Sequence, residues 1–492
     1  AQHVAAAAGG FRHLGLARRE RVAVYLPKRL ETVAAMFGVA AAGGAFVPVN
    51  PLLKPEQVAY ILRDCNVRIL VTAQDRAGQL DPVLGDCPDL HSLVLVDGDG
   101  FRPSAPHLQA LPWTALLDAA HRPPRRGIDM DMAAILYTSG STGRPKGVVL
   151  SHRNLLAGAH SVAEYLENRP DDRILAVLPF SFDYGLSQLT TAFVAGARTV
   201  LMDYLLPRDV LRAVAREGIT GLAAVPPLWI QLAQLPWPAA AGETLRYITN
   251  SGGAMPRTTL AALRRALPQT RVFLMYGLTE AFRSTYLPPA EVDRRPDSMG
   301  RAIPNAEILV VREDGMPCAP GEPGELVHRG SLVSLGYWND AEKTARRFRP
   351  APGQPAGLTL PELAVWSGDT VRMDEEGFLY FIGRKDDMIK TSGYRVSPTE
   401  VEEVIYASGL AAEAAALGVP HPVLGQGIVA VVKPARDGGF DAAALLDHCQ
   451  RHLPNFMLPQ QVVTRDALPR NPNGKIDRKL LANELQDLFQ EN

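Results

Sequence analysis

Apolar and polar positions along this chain alternate between two periods. Short apolar runs at 21–26, 45–49, 67–72, 174–178, 199–202, 222–225, 247–249 and 272–275 read as strands. Stretches at 31–42, 55–63, 186–195 and 207–217 place apolar residues at helical spacing. Strand and helix follow one another at the interval of βαβ units, which predicts an α/β protein with parallel sheets and helices on both faces. The second half repeats the style of the first, so two stacked α/β halves are expected. From 293 to about 329 the pattern changes to short runs and turns such as Glu313-Asp314-Gly315, which predicts a smaller β-rich sub-domain.

The totals narrow the class. At 492 residues the chain is too long for one core. A net charge of −1 leaves no electrostatic footprint for nucleic acid or a membrane surface. The apolar run 33–49 contains Gly43, Gly44 and Pro48 and is short for a membrane span; it reads as a buried helix leading into a buried strand. The alanine-rich start is broken by glycine, arginine and histidine where a signal peptide needs an unbroken apolar core. Cys65, Cys87, Cys318 and Cys449 are scattered, which fits free thiols in a reducing compartment. A cytoplasmic location is expected. His448, Cys449 and His452 match no structural zinc spacing and read as an amphipathic helix end.

Candidate chemistry centres on 137–147, Tyr-Thr-Ser-Gly-Ser-Thr-Gly-Arg-Pro-Lys-Gly. Apolar runs at 133–136 and 148–150 flank it as strands, and Ser151 is placed to cap a following helix. Gly140, Gly143 and Gly147 permit unusual backbone angles. Exposed N–H groups, the hydroxyls of Ser139, Ser141 and Thr142, and the cation Lys146 together make a phosphate cradle. The common nucleotide P-loop needs glycine directly before its lysine and Ser or Thr after it. Here Pro145 precedes Lys146 and Gly147 follows, so that motif is excluded.

The stretch resembles the phosphate loop of the AMP-forming acyl- and aminoacyl-adenylate ligases: acyl-CoA synthetases, the adenylation domains of peptide synthesis, and luciferases. Further motifs follow in that family's order, and the resemblance covers nearly the whole chain. It implies that ATP is bound by Thr138, Ser139, Gly140, Ser141, Thr142, Gly143 and Lys146. Tyr276-Gly277-Leu278-Thr279-Glu280 would set the Tyr276 ring against a purine, the Thr279 hydroxyl on a phosphate and Glu280 on Mg²⁺. Trp366-Ser367-Gly368-Asp369 would place Asp369 on the ribose hydroxyls, with Arg384 reaching the same sugar. The run 383–400 would join a large domain, 1–384, to a small mobile one, 385–492. Asp386 would be the hinge, and Lys390 and Gly393 would lie on the face that serves thioester formation. Asn471-Pro472-Asn473-Gly474-Lys475 would present Lys475 to the charge developing at the α-phosphate. Asn50-Pro51 with Lys54-Pro55-Glu56-Gln57 also resembles a family motif, with an expected structural role. The implied co-substrate is a phosphopantetheine thiol, of CoA or of a carrier protein. Relatives usually carry an additional N-terminal segment, and Ala1 falls inside a helical pattern, so the chain reads as trimmed or unusually short. The overall run also resembles the stand-alone acyl-CoA ligases described with exosortase-type surface-polysaccharide systems, which leaves the acid open.

Phe182-Asp183 bears on that acid. Many acyl-CoA synthetases have a histidine at the position of Phe182. Amino-acid-activating relatives have Phe-Asp, and the Asp pairs with the substrate's ammonium. A buried carboxylate without a cation is costly, so the expectation tilts to an amino acid. The alternative is that Asp183 caps the following helix and the acid carries no amine. The same carry-over lines the pocket with Tyr184, Ser187, Asn250, Gly252, Gly253, Met275, Arg283 and Ser284. Arg283 either meets a polar or acidic substrate or points away. The rival from another class is a non-catalytic nucleotide-binding protein, and the presence of every reactive position, Lys475 included, argues against it.

Overall fold

The computed structural model describes residues 1–119, 127–138, 145–355, 357–384, 388–391, 394–422, 424–435, 440–472 and 474–489. Among these residues the strands form three sheets.

The first is seven-stranded, in the spatial order Gln109–Pro112, Ser92–Leu95, Val67–Thr72, Arg21–Tyr25, Ala45–Pro48, Met132–Thr138 and Lys146–Ser151. Neighbours are parallel except the last two, which form an antiparallel hairpin. Its central strands are buried on both faces, which is why they read as unbroken apolar runs. The hairpin is the one expected around 137–147. Thr138 faces Lys146 across its open end, and Ser139, Gly140, Ser141, Thr142 and Gly143 of the loop lie outside the described residues. Beyond the hairpin, Ser151 caps helix His152–Leu166. Its Oγ accepts from the Asn154 N–H at 3.2 Å, and Asn154 Oδ1 accepts from the Ser151 N–H at 2.8 Å.

The second sheet begins with the parallel strands Arg198–Leu201, Arg173–Ala176, Gly221–Ala224, Tyr247–Asn250 and Arg271–Tyr276. The β-rich stretch is built onto its edge. Thr285–Leu287 pairs antiparallel with Arg271–Tyr276, and Ser298–Ala302, Leu379–Arg384, Leu363–Met373, Gly324–Gly330 and Ala306–Val311 follow in the same hydrogen-bonded order. One apolar core holds Phe46 and Leu136 of the first sheet and Leu222, Ile248 and Phe273 of the second, with Leu155, Leu186 and Leu189 from two helices. The third sheet, in the smaller C-terminal domain, is built on the long hairpin Ala411–His421 and Gly425–Pro434, with Gln461–Thr464 parallel beside it. Among the described residues no helix is long and apolar enough to cross a membrane.

Two strand-end details position the site. The helix expected at 186–195 starts earlier, as Asp183–Val194. Its first turn comes so close to the preceding loop that a Cβ at Gly185 would lie 2.0 Å from the Pro179 oxygen, so only glycine fits there. Trp229, fully buried, donates its indole N–H to Ala224 O at 3.0 Å and Thr249 O at 3.1 Å, tying together the ends of two neighbouring strands. Trp229→Phe keeps most of the ring and strands both carbonyls without that donor. It is expected to lower stability by about 1–3 kcal/mol, read as a lower urea midpoint. An unchanged midpoint would show that the two carbonyls find another partner.

Candidate active site

Lys146 opens the second strand of the first-sheet hairpin. Its Nζ donates to Glu280 Oε1 at 2.9 Å and to the Tyr337 hydroxyl at 2.7 Å, and the Tyr337 hydroxyl donates to the same Glu280 oxygen at 2.5 Å. Arg347 Nε stands 4.0 Å from that oxygen. Burial alone would push the Glu280 carboxyl up. The Lys146 and Arg347 charges, with the hydrogen bonds from Lys146 and Tyr337, outweigh it and hold the group at about 2. Tyr337 is placed by the backbone. Val149 N–H donates to Gly336 O and Trp338 N–H to Gly147 O, so the segment runs along the hairpin like an added edge. Among the described residues Glu280 Oε2 takes no hydrogen bond, which leaves a hard oxygen at the strand end of the kind Mg²⁺ accepts alongside waters and phosphate oxygens. Tyr337 and Arg347 carry no signal in the sequence that would have marked them; they reach Glu280 through tertiary placement alone.

Asp369 sits across from Arg384 in register, and Arg384 Nε donates to its Oδ1 at 3.0 Å. The Tyr276 hydroxyl donates to Oδ2 at 2.5 Å. The three side chains expected around a nucleoside are therefore in contact. Thr138 Oγ1, at the mouth of the loop, is buried without a hydrogen-bond partner among the described residues.

Asp183 departs from the cap reading and has partners that the sequence reading did not count. It is not a helix cap, because Phe182 holds the N-cap position and no side-chain capping bond forms. Nor is it a carboxylate without a cation. Arg283 Nη1 donates to Oδ2 at 3.1 Å and the Thr279 hydroxyl to Oδ1 at 3.2 Å. Arg283 neither points away nor stands free. Its guanidinium lies 4.7 Å from the centre of the Tyr184 ring, with Nη2 buried and without a hydrogen-bond partner among the described residues. Burial still pushes the Asp183 carboxyl up, against the opposing pull of Arg283 and Lys475. Around this pair, the Tyr184 hydroxyl is 2.5 Å from Thr249 Oγ1, the Tyr165 hydroxyl donates to Met275 Sδ at 3.1 Å, and Asn250 Nδ2 donates to Gly253 O at 3.0 Å. Ser187 is buried on the same helix as Asp183. Ser284 Oγ is 2.9 Å from Nδ1 of His328, a fully buried imidazole that no sequence motif marks.

Lys475 reaches this site from the far end of the chain. Its Nζ is 5.4 Å from the centre of the Phe182 ring. Gly252 adopts φ +83°, and a Cβ there would lie 2.9 Å from Lys475 Cε, so the glycine makes room for the lysine stem. Burial pulls the Lys475 ammonium down and Asp183 pulls it back up. Asp386 and Gly393 lie outside the described residues. Lys390 is on the strand Ile389–Thr391, and nothing is described of its side chain.

Residues 1–338 match the sequence model of the AMP-binding enzyme family, and residues 400–475 match that of the AMP-binding enzyme C-terminal domain. The chain is 32% identical over 470 residues to the indoleacetate–CoA ligase of Aromatoleum aromaticum, covering 94% of this chain and 88% of that protein. It is 30% identical over 463 residues to a linear gramicidin synthase protein of Brevibacillus parabrevis, covering 94% of this chain and spanning 6% of that much longer protein. Among solved structures, ATP-bound MatB from Rhodopseudomonas palustris superposes with a TM-score of 0.86 at 27% identity, covering 99% of this chain and 93% of that one.

His328 generates a pH prediction. Burial pushes its imidazole from the usual 6.5 down to about 3. Because the folded value lies below the unfolded one, only the unfolded chain takes up the proton between these limits. Stability that is full above pH 6.5 is therefore lost as pH falls towards about 3. Unfolding midpoints measured across that window should fall less steeply in His328→Gln than in the wild type. Equal slopes would show that the imidazole is already charged in the fold.

Proposed function

The chain belongs to the AMP-binding enzyme family of ATP-dependent, AMP-forming ligases, and from that premise we propose that it activates a carboxylic acid without an α-amine and passes the acyl group to the thiol of coenzyme A. The observation that carries the choice of acid is the buried Asp183–Arg283 ion pair. Arg283 supplies the cation that a substrate ammonium would otherwise supply, so an amino acid would have to break a buried pair to be bound. The thiol is assigned to coenzyme A because a CoA ligase is among the relatives matched over nearly their whole length.

In this reading the hairpin loop, Ser139 to Gly143, with Thr138 and Lys146, holds the β- and γ-phosphates. Tyr276 stacks on the purine, and Asp369 and Arg384 take the ribose hydroxyls. Thr279 reaches a phosphate oxygen, and Glu280 Oε2 would hold Mg²⁺, whose role when bound is to neutralise phosphate charge. The acid's carboxylate attacks the α-phosphate in line. Its new P–O bond forms as the bond to pyrophosphate breaks, and Lys475 stabilises the charge that builds on the phosphorus oxygens. The thiol then attacks the acyl carbonyl and AMP leaves. For that step the small domain, taken as 385–492, turns about Asp386 and exchanges Lys475 for the face bearing Lys390 and Gly393. A cytoplasmic location, where ATP and coenzyme A are available, fits this chemistry.

ATP–pyrophosphate exchange against matched acids with and without an α-amino group tests the choice. Exchange should respond to the amine-free acid. Breaking the Asp183–Arg283 pair costs about 3–5 kcal/mol, so the amino acid should respond more than about a hundredfold more weakly. A stronger response to the amino acid would overturn the reading and make a carrier protein the natural acceptor. Lys475→Ala tests the mechanism. Exchange should fall by about 10²–10³, while thioester formation from supplied acyl-adenylate should persist. Equal loss of both steps would contradict the exchange of faces.

A further inference from the structure

Asn50 lies just past the first-sheet strand Ala45–Pro48 and is buried. Both ends of its side chain are engaged, in different ways. Oδ1 accepts from the Leu52 N–H at 2.9 Å, which closes its own turn. Nδ2 donates to Pro472 O at 2.7 Å, on a residue 422 positions away. Pro472 belongs to the turn that presents Lys475. That turn is closed on itself: Gly474 N–H donates to Asn471 O at 2.9 Å, Asn471 N–H to Lys475 O at 2.8 Å, and Lys475 N–H to Asn471 Oδ1 at 3.1 Å. Fixing the Pro472 carbonyl therefore fixes where Lys475 enters the site. Gly252 leaves the space for the lysine stem, and Val225 approaches Gly252 and Gly474.

We propose that Asn50 is a positioning residue for acid adenylation, acting through Lys475: its amide donor seats the Pro472–Lys475 turn in the active site. The proposal rests on the reading of Lys475 as the adenylation lysine. Helices Arg257–Ala266 and Pro398–Ala407 also pack across the boundary between the domains, but they hold the small domain as a body. The Asn50 bond is made to the turn itself. It is a neutral hydrogen bond, which shifts a docking equilibrium by about tenfold. That is enough to populate the seated pose and weak enough to release it in every catalytic cycle.

Asn50→Asp separates this role from a structural one. The aspartate keeps the acceptor for Leu52 and nearly the same shape, loses the donor, and sets a carboxylate against the Pro472 carbonyl. In the full-length protein at saturating substrates, pyrophosphate exchange should fall at least about tenfold in kcat. KM for ATP and acid, thioester formation from supplied acyl-adenylate, and the urea midpoint should stay near wild type. In a Lys475→Ala background the same substitution should cause no further loss of exchange. Unchanged exchange, an equal fall in both half-reactions, or a further loss on top of Lys475→Ala would each overturn the proposal. The Lys475→Ala single variant keeps the two ideas apart. If it leaves exchange intact, the role of Lys475 has failed; if it abolishes exchange while Asn50→Asp does not, only the seat has.

Discussion

The Lys146–Glu280 ion pair joins the first sheet to the second. Lys146 opens a hairpin strand of one, and Glu280 follows the last parallel strand of the other, 134 residues on. A buried charge without a partner costs several kcal/mol, so neither sheet could present its half alone. The same constraint recurs. Asp183 needs Arg283, 100 residues away, and Asp369 draws on Tyr276 across 93 residues. Lys146, Asp183 and Tyr276 each lie at the end of a strand or helix, where backbone groups run out and ligands bind in open α/β sheets. The site is thus the place where the halves compensate each other's charges.

The hairpin, most strands and the turn bearing Lys475 were legible because their signals are local. Apolar runs, a capping serine and a Pro-Asn-Gly turn are read within a few residues. Tyr337, Arg347 and His328 were not, because what matters about them is where the fold carries them. Tyr337 is aimed at Glu280 by backbone pairing with the hairpin edge, a register that no pattern around Tyr337 encodes. Asn50 was visible as a motif residue, but its structural label hid half its bonding. The acceptor is used locally and the donor is used 422 residues away.

Asp183 shows how a sound physical rule stays incomplete when one partner is out of view. Its burial was inferred correctly, and a buried carboxylate does call for a cation. The sequence reading looked for that cation in a substrate amine and left Arg283 to a polar or acidic substrate or to solvent, because nothing local joins two residues 100 positions apart. The structure supplies Arg283, held over the Tyr184 ring, together with the Thr279 hydroxyl. Thr279 donates to the Asp183 carboxylate, and in the proposed mechanism the same hydroxyl meets a phosphate oxygen, which would couple the acid pocket to the nucleotide.

The contrast between these contacts and the seat of Lys475 follows from what each must do. The pairs Lys146–Glu280 and Asp183–Arg283 stay within the large domain, so their strength stiffens the floor of the site at no kinetic cost. In the proposed cycle Lys475 is carried by a domain that has to leave. A buried ion pair at that junction would hold the lysine in place and slow the thiol step by the energy needed to break it. Among the described contacts the turn is met instead by the Asn50 amide donor and by shape: a glycine that makes room, an aromatic face at 5.4 Å, and Val225 beside Gly474. The charge of Lys475 is met by Asp183. In that cycle, withdrawal would leave Asp183 paired with Arg283.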